Sequence, residues 1–202
     1  MKDLTSDKKG LHKLDLPDAD ITYDSNFFSA EEASKYFMWI QKGTDWKLEP
    51  IKIFGRVYQQ PRLTALYGIE VKTYSYSGIT MNPKPFNTIL EEIRIKVEKV
   101  SKTSFNTVLL NLYRDGNDSN GWHSDDEEEL GQNPSIASVS LGAERYFQLK
   151  HKKDVSKRFK ICLESGSLLV MKGPTQHYWK HQIPKTKKVT SPRINLTFRN
   201  IK

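Results

Sequence analysis

Apolar residues change their spacing partway along this chain. Between Ser29 and Gln41, Ala33, Tyr36, Phe37 and Ile40 recur at the three- and four-residue steps that line one face of a helix. Ser29-Ala-Glu-Glu32 opens that stretch as a capping box, in which serine and glutamate each satisfy the other's backbone N–H. A second helix is expected from about Pro83 to Val100, with Phe86, Ile89, Leu90, Ile93, Val97 and Val100 on one face. Between the two helices, Gly43 to Gly68 carries short extended pieces and turns. From Phe105 the character becomes strand-like, with runs at 105–113, 136–149, 158–163, 167–171, 178–183 and 193–200 broken by Gly, Pro and charged turns. Helices first and strands afterwards, without alternation, argue against a doubly wound sheet. The pattern predicts a mainly β fold with flanking helices (α+β), a two-sheet jelly roll whose N-terminal helices pack outside one sheet.

The 202 residues are enough for one substantial core, and no low-complexity insert divides them. Residues 1–20 are charged and are expected to be a flexible segment, with a single domain over 21–202. Lys and Arg number 32 against 24 Asp and Glu, for a net charge of +8 and a pI near 9.4. That excess favours a polyanionic partner such as nucleic acid, although surface lysine also serves solubility. Cys162 is the only cysteine, which excludes an intramolecular disulfide and reads as a buried, reduced thiol on a strand. An intracellular compartment fits, cytoplasmic in a bacterium or nuclear in a eukaryote. No apolar signal region opens the chain and no run is long enough to cross a bilayer, so no membrane association is expected. A monomer is expected.

Chemistry concentrates at His123, Asp125 and His181, with Arg193 twelve residues beyond. Two imidazoles and a carboxylate can occupy one face of a ferrous ion and leave the other positions open, as in 2-His-1-carboxylate sites. An extended backbone puts His123 and Asp125 on the same side of their segment. His-x-Asp alone is a weak signal, and a cluster of polar residues at strand ends is its plain alternative. His177 lies four residues before His181 and, on the same strand, would share its face; it is read as structural. In Ser191-Pro-Arg-Ile-Asn-Leu-Thr-Phe-Arg199, alternation puts Arg193, Asn195, Thr197 and Arg199 on one face and Ile194, Leu196 and Phe198 on the other. Two guanidiniums beside a cation site repel unless an anion bridges them, and a dicarboxylate would do so.

Six blocks in compatible order carry a resemblance across residues 50 to the C-terminus. They are Pro61-Arg-Leu-Thr-Ala-Leu-Tyr-Gly68, Tyr74-Ser-Tyr-Ser-Gly78, Asn111-Leu-Tyr-Arg-Asp-Gly116, Trp122-His-Ser-Asp-Asp-Glu127, Ile136-Ala-Ser-Val-Ser-Leu-Gly-Ala143 and Pro192-Arg-Ile-Asn-Leu-Thr-Phe-Arg199. On them the chain resembles the AlkB family of Fe(II)- and 2-oxoglutarate-dependent dioxygenases, nearest to the DNA-repair demethylases of the vertebrate second and third homologue type.

The resemblance implies a double-stranded β-helix, with a nucleotide-recognition lid and helix at about 45–100 and a jelly-roll core at 105–202. It implies Fe(II) on His123, Asp125 and His181, with 2-oxoglutarate as co-substrate. Arg193 with Tyr113 would hold the far carboxylate of 2-oxoglutarate, Arg199 and Asn111 would steady its chelating end, and Asn195 and Thr197 would line the same pocket. Tyr74, Ser75 and Tyr76 would form part of a lid over an extracted base, with Tyr76 stacking on it. Asp126 would read the base edge, against the plain reading of a solvated acidic run. Phe54, in Phe54-Gly55-Arg56, would fill the gap left in a duplex by a flipped base. The basic run 150–160 and the Lys185-Thr-Lys-Lys188 turn are expected backbone grips. The implied substrates are 1-methyladenine and 3-methylcytosine in DNA, with succinate, CO2 and formaldehyde as products. Two alternatives stand beside this: a 2-oxoglutarate-dependent enzyme acting on RNA or protein, and a non-catalytic nucleic-acid-binding jelly roll.

Overall fold

In the computed structural model the described residues exclude 6, 7, 9, 54, 55, 70–73, 77, 78 and 82, and at 51–53, 56, 57, 74–76 and 79–81 only the backbone is described. Two mostly antiparallel sheets enclose the core. The larger has eight strands in the order 12–13, 20–24, 168–172, 136–142, 193–199, 107–113, 63–68 and 84–85. The smaller has five, in the order 2–3, 158–163, 145–151, 179–183 and 120–123. This is the two-sheet, helix-flanked architecture expected from the pattern.

Period-two alternation sends each central strand's side chains to two separate cores. Val108, Leu110, Leu112, Ile194, Leu196 and Phe198 meet Leu90, Ile93 and Val97 of the helix layer. Leu109, Ile136 and Met171 instead face Phe147, Leu149, Ile161 and Trp179 across the gap between the sheets. Three layers result, and the middle sheet is apolar towards the helices while polar residues can gather on its inner face. Ile194, Leu196 and Phe198 are completely buried, each contributing about 1.5–3 kcal/mol on transfer from water.

Helix α1 (Ala30–Gly43) has the expected capping box on Ser29 and Glu32, and Ala33, Tyr36 and Ile40 are buried. Helix α2 (Thr88–Ser101) begins five residues later than the apolar spacing suggested. Asn87 caps it by accepting from Leu90 N–H, and Lys84–Pro85 instead pairs in parallel with Tyr67–Gly68. The run at 136–149 is two strands, Ile136–Gly142 and Arg145–His151, which belong to different sheets. Gly142 makes the crossing possible: its φ is +84°, and a Cβ there would sit 2.6 Å from Phe37 and from the Pro192 carbonyl.

Three further expectations need correction. Part of segment 1–20 is tied down: Lys2–Asp3 extends the smaller sheet, Leu14 and Leu16 are buried, and Trp179 Nε1 donates to the Pro17 carbonyl at 3.0 Å. Apolar residues among the charges and backbone pairing at a sheet edge account for this order. His177 lies in a short helix, α3 (Thr175–Tyr178), so it does not share a strand face with His181. Cys162 is half-buried, not buried, and burial followed by nearby Glu144 pushes its thiol up to about 11, which keeps it a poor nucleophile. Among the described residues no helix is long and apolar enough to cross a membrane.

Candidate metal centre

The smaller sheet brings the two imidazoles together. His123 ends the Asn120–His123 strand and pairs directly with His181 of the neighbouring Trp179–Ile183 strand. Their ring centroids are 4.2 Å apart at an interplanar angle of 66°. Asp125, just past the strand end, places Oδ2 3.5 Å from His181 Nε2. One donor atom from each of His123, Asp125 and His181 lies within 4.8 Å of the other two. Among the described residues they form a cluster of neutral-nitrogen and carboxylate donors, the set that suits a divalent transition metal.

Local bonds prepare these donors. His123 Nδ1 lies 2.7 Å from the Gly121 carbonyl. A ring nitrogen facing a carbonyl must carry the hydrogen, which leaves the lone pair on Nε2. Nε2 is 3.3 Å from the Asn120 amide nitrogen. Burial lowers the pKa of both histidines, and His181, beside His123, is held down to about 3. Both imidazoles are therefore neutral and able to ligate at physiological pH. Burial works to raise the Asp125 pKa, but Arg199 and the two imidazoles outweigh it and hold the carboxyl well below the usual range. Arg199 Nη2 donates to Asp125 Oδ1 at 2.5 Å.

Opposite the triad stands the polar face of the Arg193–Arg199 strand. Alternation puts Arg193, Asn195, Thr197 and Arg199 on it, and all four are buried. Tyr113 pairs with Arg193 and Asn111 with Asn195 on the adjacent strand. Asn195 is fixed by Ser138 Oγ at 2.8 Å and by the Val139 carbonyl at 3.1 Å, and Thr197 donates to Asn195 Oδ1 at 2.8 Å. A cavity of about 40 Å³ lies between this face and the triad.

Arg193 is the exceptional member. It is 1 % exposed, its Nη2 donates to Ser140 Oγ at 2.9 Å, and its guanidinium lies 5.1 Å from the centre of the Tyr113 ring. Its Nε and Nη1 are buried without a hydrogen-bond partner among the described residues. Burial pulls its pKa down to about 10, so it is still a cation at neutral pH. A buried cation with two unused donors is costly unless an acceptor anion completes it. The cavity beside it thus fits a carboxylate, and the triad fits a metal that a second carboxylate could chelate.

Other site residues divide into found and unplaced. Asp126 is at the rim, paired to Lys152 Nζ at 3.0 Å with about half of its side chain exposed. Phe54 and Gly55 lie outside the described residues. Arg56, Tyr74, Ser75 and Tyr76 are on two-stranded hairpins whose side chains are not described there. His177 Nε2 is 2.9 Å from Asn133 Oδ1, away from the triad. Arg62 was missed: it is 3 % exposed and donates through Nε to Asn111 Oδ1 at 2.7 Å. A lone arginine entering an apolar strand was its signal. Ser138 and Ser140 could have been found by the same alternation that marked Arg193.

Residues 20–199 match the model of the 2OG-Fe(II) oxygenase superfamily. The DNA oxidative demethylase ALKBH2 of Bos taurus is 42% identical over 184 residues, covering 86% of this chain and 66% of the relative. Its Homo sapiens counterpart is 43% identical over 184 residues, with 86% and 70% covered. The alpha-ketoglutarate-dependent dioxygenase alkB homolog 3 of Bos taurus is 39% identical over 207 residues, with 96% and 72% covered. This chain thus spans about two thirds of the length of these relatives. A solved structure of OsALKBH1 superposes with a TM-score of 0.66 at 19% identity, covering 95% of this chain and 100% of that one. At that identity the likeness concerns the fold.

Proposed function

This chain belongs to the 2OG-Fe(II) oxygenase superfamily, and from that premise we propose that it is an oxidative demethylase of N-alkylated bases in DNA. Fe(II) and 2-oxoglutarate are the cofactor and co-substrate of the family. Bound together with oxygen they supply the oxidation of an N-methyl group, which leaves as formaldehyde while 2-oxoglutarate becomes succinate and CO2.

The chain's own residues do the rest. His123 and His181 present neutral imidazoles, and Asp125 presents the anionic donor. Arg193, with its two unused donors, takes the distal carboxylate of 2-oxoglutarate beside Tyr113. Arg199, already on Asp125, and Asn111 steady the chelating end, while Asn195 and Thr197 line the pocket. Burial of this face excludes water from the oxidation. Asp126 meets the base edge from the rim, and Tyr74, Ser75 and Tyr76 cover the base, with Tyr76 stacking. Phe54, Gly55 and Arg56 serve the opened duplex, and 1-methyladenine and 3-methylcytosine are the proposed lesions. The protein acts as a monomer.

Support for a DNA substrate comes from relatives named as DNA oxidative demethylases at 42% and 43% identity and from the +8 charge, which suits a phosphate backbone. The observation that carries the co-substrate reading is the buried, half-used guanidinium of Arg193. The test is a demethylation assay on matched single- and double-stranded DNA and RNA carrying defined lesions. Loss of methyl from DNA, dependent on 2-oxoglutarate, is expected; turnover confined to RNA or to a peptide would replace this reading.

A further inference from the structure

Three hydrogen-bonded contacts clamp the metal-ligand segment to the turn that launches the His181 strand. Gln176, 1 % exposed in α3, accepts at Oε1 from the Asp125 backbone N–H at 3.0 Å, and its Nε2 rests 3.6 Å from Met171 Sδ. Ser124 Oγ donates to the Trp179 carbonyl at 3.0 Å. Lys152 Nζ donates to the Gln176 carbonyl at 2.7 Å and to Asp126 Oδ2 at 3.0 Å. We propose that Gln176 is a positioning residue that sets Asp125 for the metal, and that Lys152 carries the same brace outward to Asp126.

The need for such a brace follows from where Asp125 sits. The Asn120–His123 strand ends two residues before it, so its buried N–H has no ladder partner. The Gln176 amide supplies one, and a buried donor left unmet is destabilising. Arg199 simultaneously holds Oδ1, which leaves Oδ2 directed towards His181. Asp125 is therefore fixed at its backbone by Gln176 and at its carboxylate by Arg199. α3 leads straight into Trp179–Ile183, which carries His181. One glutamine side chain thus ties two ligand-bearing segments together, and residues one step removed from a metal ligand commonly set its orientation. Lys152 bonds the same turn and Asp126 at once, so the rim carboxylate is referenced to the same element as the metal ligand.

The Gln176 part is tested on the full chain with Co(II) as the probe, by titration and by visible absorption. Gln176→Leu should weaken Co(II) binding about 10–100-fold and shift the visible bands, whereas Gln176→Glu, which keeps an acceptor oxygen, should retain the wild-type bands. Should Gln176→Leu not fold, the shorter Gln176→Asn reads the same displacement. A variant with a lower melting temperature but unchanged Co(II) affinity and bands would make Gln176 an ordinary core amide and overturn the proposal. The Lys152 part rests on the proposed function. Lys152→Met should leave the Co(II) bands unchanged and raise KM for a methylated oligonucleotide, with KM for 2-oxoglutarate unaltered and Lys152→Arg restoring it. An unchanged oligonucleotide KM in an enzyme that demethylates would overturn this part alone. If wild type turns over no methylated oligonucleotide, the functional reading fails and Lys152 with it, while the Co(II) result still decides Gln176.

Discussion

The Arg193–Arg199 strand and two hairpins, Pro50–Ile53 paired with Arg56–Gln59 and Tyr74–Tyr76 paired with Ile79–Met81, are all short strands held in opposite ways. Arg193–Arg199 lies mid-sheet, paired on both sides by Thr107–Tyr113 and Ile136–Gly142, with every residue buried. Each hairpin is a two-stranded sheet of its own, a unit that has little stability by itself. The polar face bearing Arg193 and Arg199 thus belongs to a strand that cannot move without disturbing both cores. The proposed function gives part of base recognition to these two hairpins, and binding residues are often carried on segments positioned by a rigid scaffold. Under the proposed function labour is divided: the sheets carry the oxidation, and the hairpins, with Asp126 at the rim, hold the base.

The largest effect should come from the triad. Asp125→Ala should abolish turnover and, by removing one member of the buried Arg199–Asp125 pair, should also lower the melting temperature. His123→Ala and His181→Ala should abolish turnover too, whereas His177→Ala, whose ring faces Asn133, should stay active. Metal-dependent assays with parallel thermal melts separate the two losses, and full turnover by Asp125→Ala would remove the triad.

Acid should expose the same burial. The folded-state pKa of His181 is about 3 against an ordinary 6.5. The folded form therefore binds fewer protons than the unfolded one across that window. Its stabilising effect is complete above pH 6.5 and is lost progressively as pH falls towards 3. Metal-free protein should lose roughly 2–3 kcal/mol through this histidine by about pH 4.5, with the depressed Asp125 carboxyl adding to the loss at lower pH. Urea melts from pH 7 downward report it, and His181→Ala should show a shallower decline.

A smaller and more specific effect belongs to Arg193→Lys. The charge survives but the planar fork is lost, so KM for 2-oxoglutarate should rise about tenfold with KM for the oligonucleotide unchanged. Equal 2-oxoglutarate titrations for mutant and wild type would place the co-substrate elsewhere. Among the proposed base contacts, Phe54→Ala should lower the ratio of double- to single-strand initial rates at fixed ionic strength, since only a duplex leaves a gap to fill. An unchanged ratio would make Phe54 a packing residue.

What could be read from the residues follows the same division. Alternation in Arg193–Arg199 located the polar inner face because a strand between two cores must sort its side chains strictly by parity. The same rule reaches Ser138 and Ser140. The 136–149 run hid its break because a sheet-to-sheet crossing at Gly142 leaves the apolar pattern nearly continuous, and only contact with Phe37 and Pro192 shows the need for glycine. Arg62 and Gln176 escaped because their roles depend on partners 49 and 51 residues away, a distance no local spacing records. The Asn87 cap displaced α2 because a side-chain cap outcompeted the apolar spacing that began at Phe86.

Division of labour is tested most directly by measuring succinate and formaldehyde together in one reaction on a 3-methylcytosine oligonucleotide, for wild type and Tyr76→Ala. Wild type should release the two in equal amounts. Tyr76→Ala should go on converting 2-oxoglutarate to succinate while formaldehyde falls away, because the oxidising centre survives when the base is no longer held. Succinate and formaldehyde vanishing together in Tyr76→Ala, with Co(II) binding also lost, would mean that the hairpins help build the oxidising centre, contradicting the account.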